Sequence, residues 1–249
     1  MNYKIIMSRY AILSDIHGNL FALNEVTKDL NSQNVDYIIL LGDLIDYGMQ
    51  SNESIDFIGK ELSSKIICNI WGNHEKAILT QDFNHFSSMR GVESAKFTDS
   101  VLAVESRKYL NENLIHEGKF EFEIDGKSVL AVHGSLTDYY WKAISHDNLN
   151  GDYSDFDIVL SGHSHYPHVF QHFYESVNPS MRNKKAVLFI NPGSVGQPRN
   201  HNPNAQYAIL DTETMGVELK SVKYPKEEAM ELYDGSIDEF YKTRLENGI

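Results

Sequence analysis

The segment YAILSDIHGN at residues 10–19 decides the fold, because an apolar run that suits a buried strand ends abruptly in an aspartate, a histidine and a glycine. Short apolar runs bounded by Gly, Asp and Asn are typical of buried strands. The sequence therefore predicts a series of buried strands, each followed by polar residues. The same pattern recurs in YIILLGDLID (37–46), KIICNIWGNHE (65–75), SVLAVHGS (128–135), DIVLSGHSH (157–165) and AVLFINPGSVG (186–196).

Helices and hairpins are predicted around these strands. Residues 20–34 carry apolar side chains at helical spacing between the first two strands, and residues 52–62 repeat the pattern more weakly before the third. This β-α-β-α-β order is that of an α/β fold. Consecutive hairpins later in the chain indicate a second sheet packed on the first. These hairpins are predicted at residues 119–134, 168–191 and 205–224.

The overall composition limits the classes of protein that this chain can represent. Its 249 residues make one large domain or two small ones and are long enough to bury a full core. Its net charge of −13 argues against non-specific nucleic-acid binding, which needs a basic surface to neutralise phosphates. No apolar run approaches the ~18 residues of a membrane span, and Arg9 interrupts the apolar segment that a secretory signal needs. With Cys68 as the sole cysteine, we predict a cytoplasmic protein that contacts no membrane.

Residues that can bind metal ions follow the predicted strands. In open α/β sheets ligands bind beyond the carboxyl ends of the strands, so we expect these residues to gather there. Taken singly, Asp15 and Asn73 can be helix caps and His133 an ordinary polar residue. Their joint occurrence at successive strand ends favours a metal site. The full set is Asp15, His17, Asp43, Asn73, His74, His133, His163 and His165.

The chemistry of this set indicates the kind of metal. Carboxylate, imidazole and amide ligands together suit Mn²⁺, Fe or Zn²⁺, and the absence of thiolates argues against a structural zinc site. The ligands are too many for one tetrahedral ion but fit two ions that share a carboxylate. Two metals about 3.5–4 Å apart are the usual arrangement for in-line displacement at phosphorus. We predict two divalent or trivalent ions, with Mn²⁺ preferred and Fe or Zn²⁺ as alternatives.

Five motifs in this order resemble those of the calcineurin-like metallophosphoesterase superfamily. They are DIHGN (15–19), GDLID (42–46), GNHE (72–75), HGS (133–135) and GHSH (162–165). The later NPGSVGQPR (191–199) resembles the small bacterial phosphodiesterase branch, and the resemblance extends from about residue 9 to 211.

The resemblance implies a role for each ligand. Asp43 would bridge the two ions, and a hydroxide between the ions would be the nucleophile. Gly162 is expected to let the strand turn sharply, so that His163 and His165 reach different ions. One ion would be bound by Asp15, His17 and His165, and the other by Asn73, His133 and His163.

The resemblance also implies roles for residues outside the ligand set. His74 would protonate the leaving oxygen or stabilise charge on the phosphoryl group, and Asp46 would orient it. Many protein phosphatases of the superfamily continue GDxxD with an arginine, where this chain has Tyr47, which weighs against a protein phosphatase. Arg199 is predicted to supply a cation to the substrate, and Asn19 a hydrogen bond.

We therefore predict a four-layer α/β/β/α sandwich of two packed mixed sheets, as one domain over residues 1–249 with a helical cap insertion at about 77–117. The segment 226–248 is predicted to be helical, without a functional role. Tyr139, Tyr140 and Trp141 are expected to pack on a following helix, with stacking on a nucleobase as the alternative.

The predicted function is hydrolysis of phosphodiester or phosphomonoester bonds by a metal-dependent phosphoesterase. The substrate would be a phosphorylated small molecule or a nucleotide, and a homodimer is left open. A hydrolase of diadenosine tetraphosphate is the specific alternative. A non-catalytic metal-binding scaffold is the alternative from another class.

Overall fold

A computed structural model describes residues 8–249. Residues 1–7, which carry part of the segment considered for a secretory signal, lie outside the described residues. The strands are β1 (Arg9–Leu13), β2 (Tyr37–Leu40), β3 (Ile66–Asn69), β4 (Lys119–Ile124), β5 (Lys127–Val132), β6 (Ile158–Ser161), β7 (His168–Glu175), β8 (Lys184–Asn191), β9 (Ala205–Asp211) and β10 (Gly216–Val222).

The α-helices lie mainly in the first half of the chain and at its end. They are α1 (Leu20–Ser32), α2 (Ser51–Phe57), α3 (Asn73–Thr80), α4 (Met89–Val101), α5 (Val104–Glu112), α6 (Lys226–Glu231) and α7 (Phe240–Asn247). A π-helical turn at Ile58–Leu62 extends α2, and a 3₁₀ turn at Pro179–Met181 precedes β8. No helix within the described part of the chain is long and apolar enough to cross a bilayer.

The strands form two mixed five-stranded sheets, which confirms the predicted α/β class. The first sheet has the order β10-β9-β1-β2-β3 and the second the order β4-β5-β6-β8-β7. Strands β1, β2 and β3 are parallel to one another, as are β5, β6 and β8. The predicted hairpin at 205–224 is present as β9 and β10, but it extends the first sheet through antiparallel pairing with β1 instead of joining the second.

The two sheets pack face to face through a buried apolar layer. This layer includes Ile12 and Ile39 from the first sheet and Ala131, Leu160 and Ile190 from the second. Successive side chains of a strand point to opposite faces, so the alternate residues of β1 and β2 face outward. The helices α1, α2, α5, α6 and α7 cover that outer face of the first sheet.

The outer face of the second sheet is covered differently. A small core that includes Tyr153, Val159 and Phe189 is closed by the segment 134–156, which forms turns and isolated bridges instead of a helix. The expected helix after Trp141 is therefore wrong. The segment's polar and glycine-rich composition explains the difference, because Asn148, Asn150, Gly151 and their neighbours favour turns over helix.

The predicted cap segment 77–117 contains α4, α5 and the end of α3. Its side chains pack against the helical side of the first sheet, with Ala95 and Leu110 fully buried there. Its assignment as a separate cap within a single domain stays a prediction.

The loops that follow the parallel strands are joined by main-chain hydrogen bonds. The amide of Asp15 donates to the carbonyl of Gly42, and that of His17 to the carbonyl of Asp43, which ties the β1 and β2 loops together. The amide of Val195, after β8, donates to the carbonyl of Ser14, which links the two sheets. The strand ends of both sheets therefore meet at one edge, where the predicted ligands lie.

Candidate metal centre

The seven predicted ligands converge at this edge, and we call them the metal centre. His163 is half-buried and the other six expose at most 2% of their surface. The ligand atoms of Asp15, His17 and His165 lie within 4.8 Å of one another, as do those of Asp43, His133 and His163. The first sheet contributes Asp15, His17, Asp43 and Asn73, and the second contributes His133, His163 and His165.

Main-chain carbonyls fix the orientation of three of the imidazoles. Nδ1 of His17 donates to the carbonyl of Ile45 at 3.1 Å, and Nδ1 of His165 to that of Gln197 at 2.5 Å. With the proton on Nδ1, the Nε2 atom of each neutral ring carries a lone pair. Nδ1 of His133 likewise contacts the carbonyl of Leu41 at 2.7 Å. Hydrogen bonds of this kind to the far nitrogen hold a histidine ring in the orientation that metal ligation needs.

The first group of ligands leaves electron pairs facing one another. Nε2 of His17 lies 3.2 Å from Nε2 of His165, which lies 3.1 Å from Oδ1 of Asp15. Burial lowers the pKa of His17 well below its usual value, and burial with the charge of Arg199 lowers the pKa of His165 to about 4. Both rings are therefore neutral, and Oδ1 of Asp15 is buried without a hydrogen-bond donor in the described chain. A cation between these atoms satisfies all of them.

The second group is built around an amide and a carboxylate. Oδ1 of Asn73 lies 2.9 Å from Nε2 of His133 and 2.9 Å from Nδ1 of His163. Nε2 of His133 is also 3.2 Å from Oδ2 of Asp43. Burial opposes protonation of His133, but Asp43 outweighs it and raises the pKa of the ring to about 9. The negative charge of Asp43 that raises this pKa would also attract a metal cation, which would replace the proton on His133.

Asn73 and Asp43 are placed as the resemblance implies. Asn73 is the first residue of α3 and its side chain makes no capping hydrogen bond, so the helix-cap alternative does not describe it. Oδ2 of Asp43 lies 3.7 Å from Nε2 of His17 and 3.2 Å from Nε2 of His133, so it faces both groups. The donor set fits two ions that share Asp43.

His74 lies beside the metal centre with a partner of its own. Its Nδ1 is 2.6 Å from Oδ2 of Asp46, and its Nε2 lies 3.9 Å from Oδ2 of Asp43. The other oxygen of Asp46 accepts from the hydroxyls of Ser94 and Thr98 on α4. Although burial opposes protonation, Asp43 and Asp46 raise the pKa of His74. His74 also forms a compact group with His17 and Asp43, so the geometry leaves its Nε2 near a metal position.

The backbone at the metal centre is strained. Non-glycine residues rarely adopt a positive φ, and when they do they cluster at functional sites. Five of the seven ligands have φ between 47° and 63°, and Asp46 has φ of 72°. These five ligands are Asp15, His17, Asp43, His163 and His165.

Two glycines permit close approach at the metal centre. A Cβ atom on Gly72 would lie 2.0 Å from Oδ1 of Asp43, and one on Gly162 would lie 2.2 Å from Oγ of Ser14. The chain does turn tightly here, since the amide of Ser164 donates to the carbonyl of Gly162 at 2.7 Å. However, the φ of Gly162 is not in the left-handed region and does not by itself require a glycine. Gly162 instead lets the loop after β6 approach the loop after β1.

Comparisons with known proteins identify the family. Residues 9–215 match the calcineurin-like phosphoesterase superfamily domain. The chain belongs to the calcineurin-like phosphoesterase superfamily. Membership supports metal-dependent hydrolysis of phosphoric esters as the general class of activity, and metal binding is typical of the family.

Three similar proteins illustrate the match. The uncharacterized protein MJ0912 of Methanocaldococcus jannaschii is 30% identical over 234 residues, which cover 91% of this chain and 92% of that protein. A metallophosphoesterase from Sphaerobacter thermophilus has a TM-score of 0.74 at 25% identity, covering 98% of this chain and 100% of the other. The hypothetical protein PH1004 from Pyrococcus horikoshii has a TM-score of 0.77 at 20% identity, covering 97% and 98%, and shows the shared fold.

The glutamate of the superfamily motif GNHE has a structural role that sequence reasoning missed. The carboxylate of Glu75 is fully buried and accepts from the amides of Asp43, Leu44 and Gly72 at 2.7–2.8 Å. Burial, followed by the charge of Asp43, raises the pKa of Glu75 to about 7. Its place in the motif was the available signal, since it follows His74 directly.

Above the metal centre, the phosphoesterase fold leaves a cavity of about 510 Å³, a size that suits a small-molecule ligand. Asp43, Asn73, His74, His163 and His165 form its floor. We call the residues farther from the metal centre the outer wall, and they are Phe86, Arg90, Trp141, Phe240 and Arg244.

The outer wall includes residues for which the sequence predicted no function. Phe240 and Arg244 belong to α7, so the expectation that the 226–248 segment has no functional role does not agree with its position in the cavity. Of the three aromatic residues 139–141, Trp141 lines the cavity. The ring of Tyr140 is buried and its hydroxyl donates to the carbonyl of His116, so Tyr140 packs in the interior, although not against the helix that was expected.

The two predicted substrate-binding residues have different surroundings. Arg199 lines the cavity, and its charge lowers the pKa of His165. Asn19 is buried at the start of α1, where its Oδ1 accepts from the amide of Ala22 and its Nδ2 donates to the carbonyl of Gly196. Asn19 thus caps a helix and does not line the cavity, which favours a structural role over a substrate contact.

Proposed function

We propose that this chain hydrolyses phosphodiester or phosphomonoester bonds at a dinuclear metal centre, with direct attack of water on phosphorus. The observation that carries the proposal is the convergence of unshared electron pairs in a buried site that opens into a cavity. Two ions bound there would stabilise phosphoryl charge and lower the pKa of a shared water to about 7, which would make hydroxide available as the nucleophile.

The ligands divide between the two positions by distance. Asp15, His17 and His165 would hold one ion, Asn73, His133 and His163 the other, and Asp43 faces both groups. Mn²⁺ is the preferred ion, with Fe or Zn²⁺ as alternatives, because imidazole and carboxylate ligands without thiolates suit these metals.

The chain's own residues provide the remaining parts. His74 presents Nε2 to the cavity while Asp46 holds its Nδ1, so His74 can give a proton to the leaving oxygen. General acid assistance of this kind contributes roughly 10²–10⁴-fold to rate. Arg199 lines the cavity and its charge acts on His165, which supports a role in attracting the phosphoryl group.

Metal content and isotope transfer test the proposal together. Protein stripped by a chelator and resupplied with Mn²⁺, Fe²⁺ or Zn²⁺ should bind about two ions per chain by elemental analysis. It should then hydrolyse bis(p-nitrophenyl) phosphate or p-nitrophenyl phosphate. A single turnover in ¹⁸O-water should place one label on the phosphorus of the product. An unlabelled product would exclude direct attack by water.

A nucleotide substrate is the specific alternative that one observation favours. Trp141 lines the cavity, and base–aromatic stacking is worth about 1–3 kcal/mol per base. Chromatography after incubation with diadenosine tetraphosphate should then show ATP with AMP, or two ADP. Full metal binding without hydrolysis of any of these esters would favour the non-catalytic scaffold instead.

A further inference from the structure

Three arginines from distant parts of the chain line the cavity, although the protein carries a net charge of −13. Arg90 belongs to α4, Arg199 to the loop after β8 and Arg244 to α7. None of the three forms a salt bridge with any residue between 8 and 249. A strongly acidic protein thus leaves three guanidinium groups without carboxylate partners in one place.

Arg244 shows the unusual character of this cluster most clearly. Its side chain is 8% exposed, and its Nε and Nη1 atoms are buried without a hydrogen-bond partner in the described chain. Burying an unpaired charge is costly, so such groups are normally paired or bind a ligand. Burial, then repulsion from Arg199, lowers the pKa of Arg244 to about 10. The guanidinium therefore remains charged near neutral pH, and Arg244 lines the cavity without a carboxylate partner in residues 8–249.

Aromatic rings fix the position of the outer two arginines. The guanidinium carbons of Arg90 and Arg244 lie 4.2 Å and 4.5 Å from the centroid of the Phe240 ring. Arg244 also lies 6.0 Å from the ring of Tyr47, which stacks on Tyr241. Cation–π contacts of this kind hold a guanidinium in place without using its N–H donors. Those donors remain available to an anion.

The three arginines differ in their distance from the metal centre. The charge of Arg199 acts on both His163 and His165, which are ligands. Arg90 and Arg244 both contact the ring of Phe240 on α7, and within residues 8–249 that ring packs against the ring of Tyr241 and against that of no metal ligand. We therefore assign Arg199 to the phosphoryl group at the metals and the other two arginines to the part of the cavity formed by α7.

We propose that Arg90 and Arg244 bind a second phosphate of the substrate, so that the enzyme acts on phosphate esters that carry an additional phosphate group. This inference rests on the proposed function for the identity of the reacting phosphate, but the second site itself can be measured by binding alone. Guanidinium groups bind phosphate through paired, charge-assisted hydrogen bonds, which suits the free donors of Arg244.

Calorimetric binding to Mn²⁺-loaded protein tests the second site. The probes are AMP, ADP and adenosine 3′,5′-bisphosphate, with orthophosphate and pyrophosphate as a pair without a nucleoside. The His74→Ala background suppresses turnover, and chromatography confirms that the probes stay intact. At least one probe with two phosphates should bind about 10–100-fold more tightly than its counterpart with one.

Three variants assign that preference to the outer wall. Arg244→Met and Arg90→Met should each reduce the preference by about tenfold or more. Arg182→Met, an exposed arginine in the turn before β8, is the matched control and should retain it. Since Arg244 is buried, its variant is first checked for an unchanged Tm, and exposed Arg90 provides the result if Arg244→Met fails to fold.

Failure of this inference is distinguishable from failure of the proposed function. Equal affinity for probes with one and two phosphates, or no binding of either, overturns the second site whatever the activity. A preference that survives in both arginine variants overturns the assignment to Arg90 and Arg244. Conversely, protein that binds two phosphates selectively but hydrolyses no ester contradicts the proposed function and leaves the second site standing.

Discussion

The metal centre and the outer wall of the cavity are built in opposite ways. The ligands of the metal centre directly follow parallel strands, on loops or, for Asn73, at the first residue of α3, and nearly all of them are buried. The outer wall comes from α4 and the loop before it, the irregular segment 134–156 and α7, and two of its cations contact an aromatic ring. The floor is therefore determined by the sheets, whereas the wall depends on how separate helices pack over them.

This difference suggests that the floor and the outer wall have different functions. The floor supplies the metal ligands, whereas the wall supplies aromatic rings and guanidinium groups that can contact the rest of a substrate. If the floor and the residues that support it form one rigid unit, substitutions at either should alter metal binding, turnover or stability, with the largest effect at the bridging carboxylate.

Asp43→Asn should abolish the activity of the metal centre. The substitution removes the carboxylate charge that faces both ligand groups. We expect metal content below one ion per chain and a loss of at least about 10³-fold in kcat/KM, since the metals supply several kcal/mol of charge stabilisation. His168→Ala, which changes a histidine outside the ligand set, should retain both. Full metal content in Asp43→Asn would show that Asp43 does not bridge.

His74→Ala should separate turnover from metal binding. We expect a fall of about 10²–10⁴-fold in kcat with metal content unchanged, because the role proposed for His74 is that of an acid and not of a ligand. Loss of metal in this variant would instead indicate that His74 is a metal ligand together with His17 and Asp43.

The pH profile gives a second measure of the same residue. The protonated ring is the active form, so activity should fall as pH rises through the pKa of His74. That pKa is raised because Asp43 and Asp46 outweigh the opposing effect of burial. Asp46→Asn removes one of these carboxylates and should move the alkaline limb of kcat to lower pH. An unmoved limb would mean that another group sets it.

Glu75→Gln should reduce stability more than it alters chemistry. Its carboxylate accepts from backbone amides on both sides of the metal centre, and a glutamine would present an NH₂ to some of them. Each amide left without an acceptor costs about 1–3 kcal/mol, so Tm should fall by roughly 5–10 °C. Glu93→Gln, at an exposed position of α4, is the control and should leave Tm within about 1 °C. Equal melting of the two variants would refute the structural role.

Thr98→Val should produce the smallest effect. It tests how far α4 supports His74 through Asp46. The hydroxyl of Thr98 donates to Oδ1 of Asp46 at 2.9 Å, and valine has the same shape without the donor. Loss of one hydrogen bond to a charged acceptor costs about 1.5–3 kcal/mol, shared between stability and the position of His74. We expect a few-fold loss of kcat with unchanged KM. A change in KM alone would indicate that α4 acts on substrate and not on Asp46.

The sequence predicted the floor well because its determinants are local. Ligands such as Asp15 and His163 directly follow apolar runs, and parallel strands bring their carboxyl ends to one edge. The left-handed φ of these residues and the close approach at Gly162 could not be read in advance, since both depend on contacts between the two sheets.

The outer wall could not be predicted for a related reason. Phe240 and Arg244 lie far along the chain from any motif, and their pattern is that of an ordinary helix. A helix with apolar residues must pack somewhere, but its sequence does not state which face meets the cavity. Likewise, no helix follows Trp141 because residues 142–156 contain several turn-forming residues, and none of these belongs to a motif.

The anchoring of the imidazoles has an evolutionary consequence. Nδ1 of His17, His133 and His165 is held by backbone carbonyls, which no point substitution removes. Nδ1 of His74 is held by the side chain of Asp46, which a single codon change can replace. A single substitution at Asp46 can therefore change or abolish turnover during evolution, while the orientation of these three ligand histidines is unchanged.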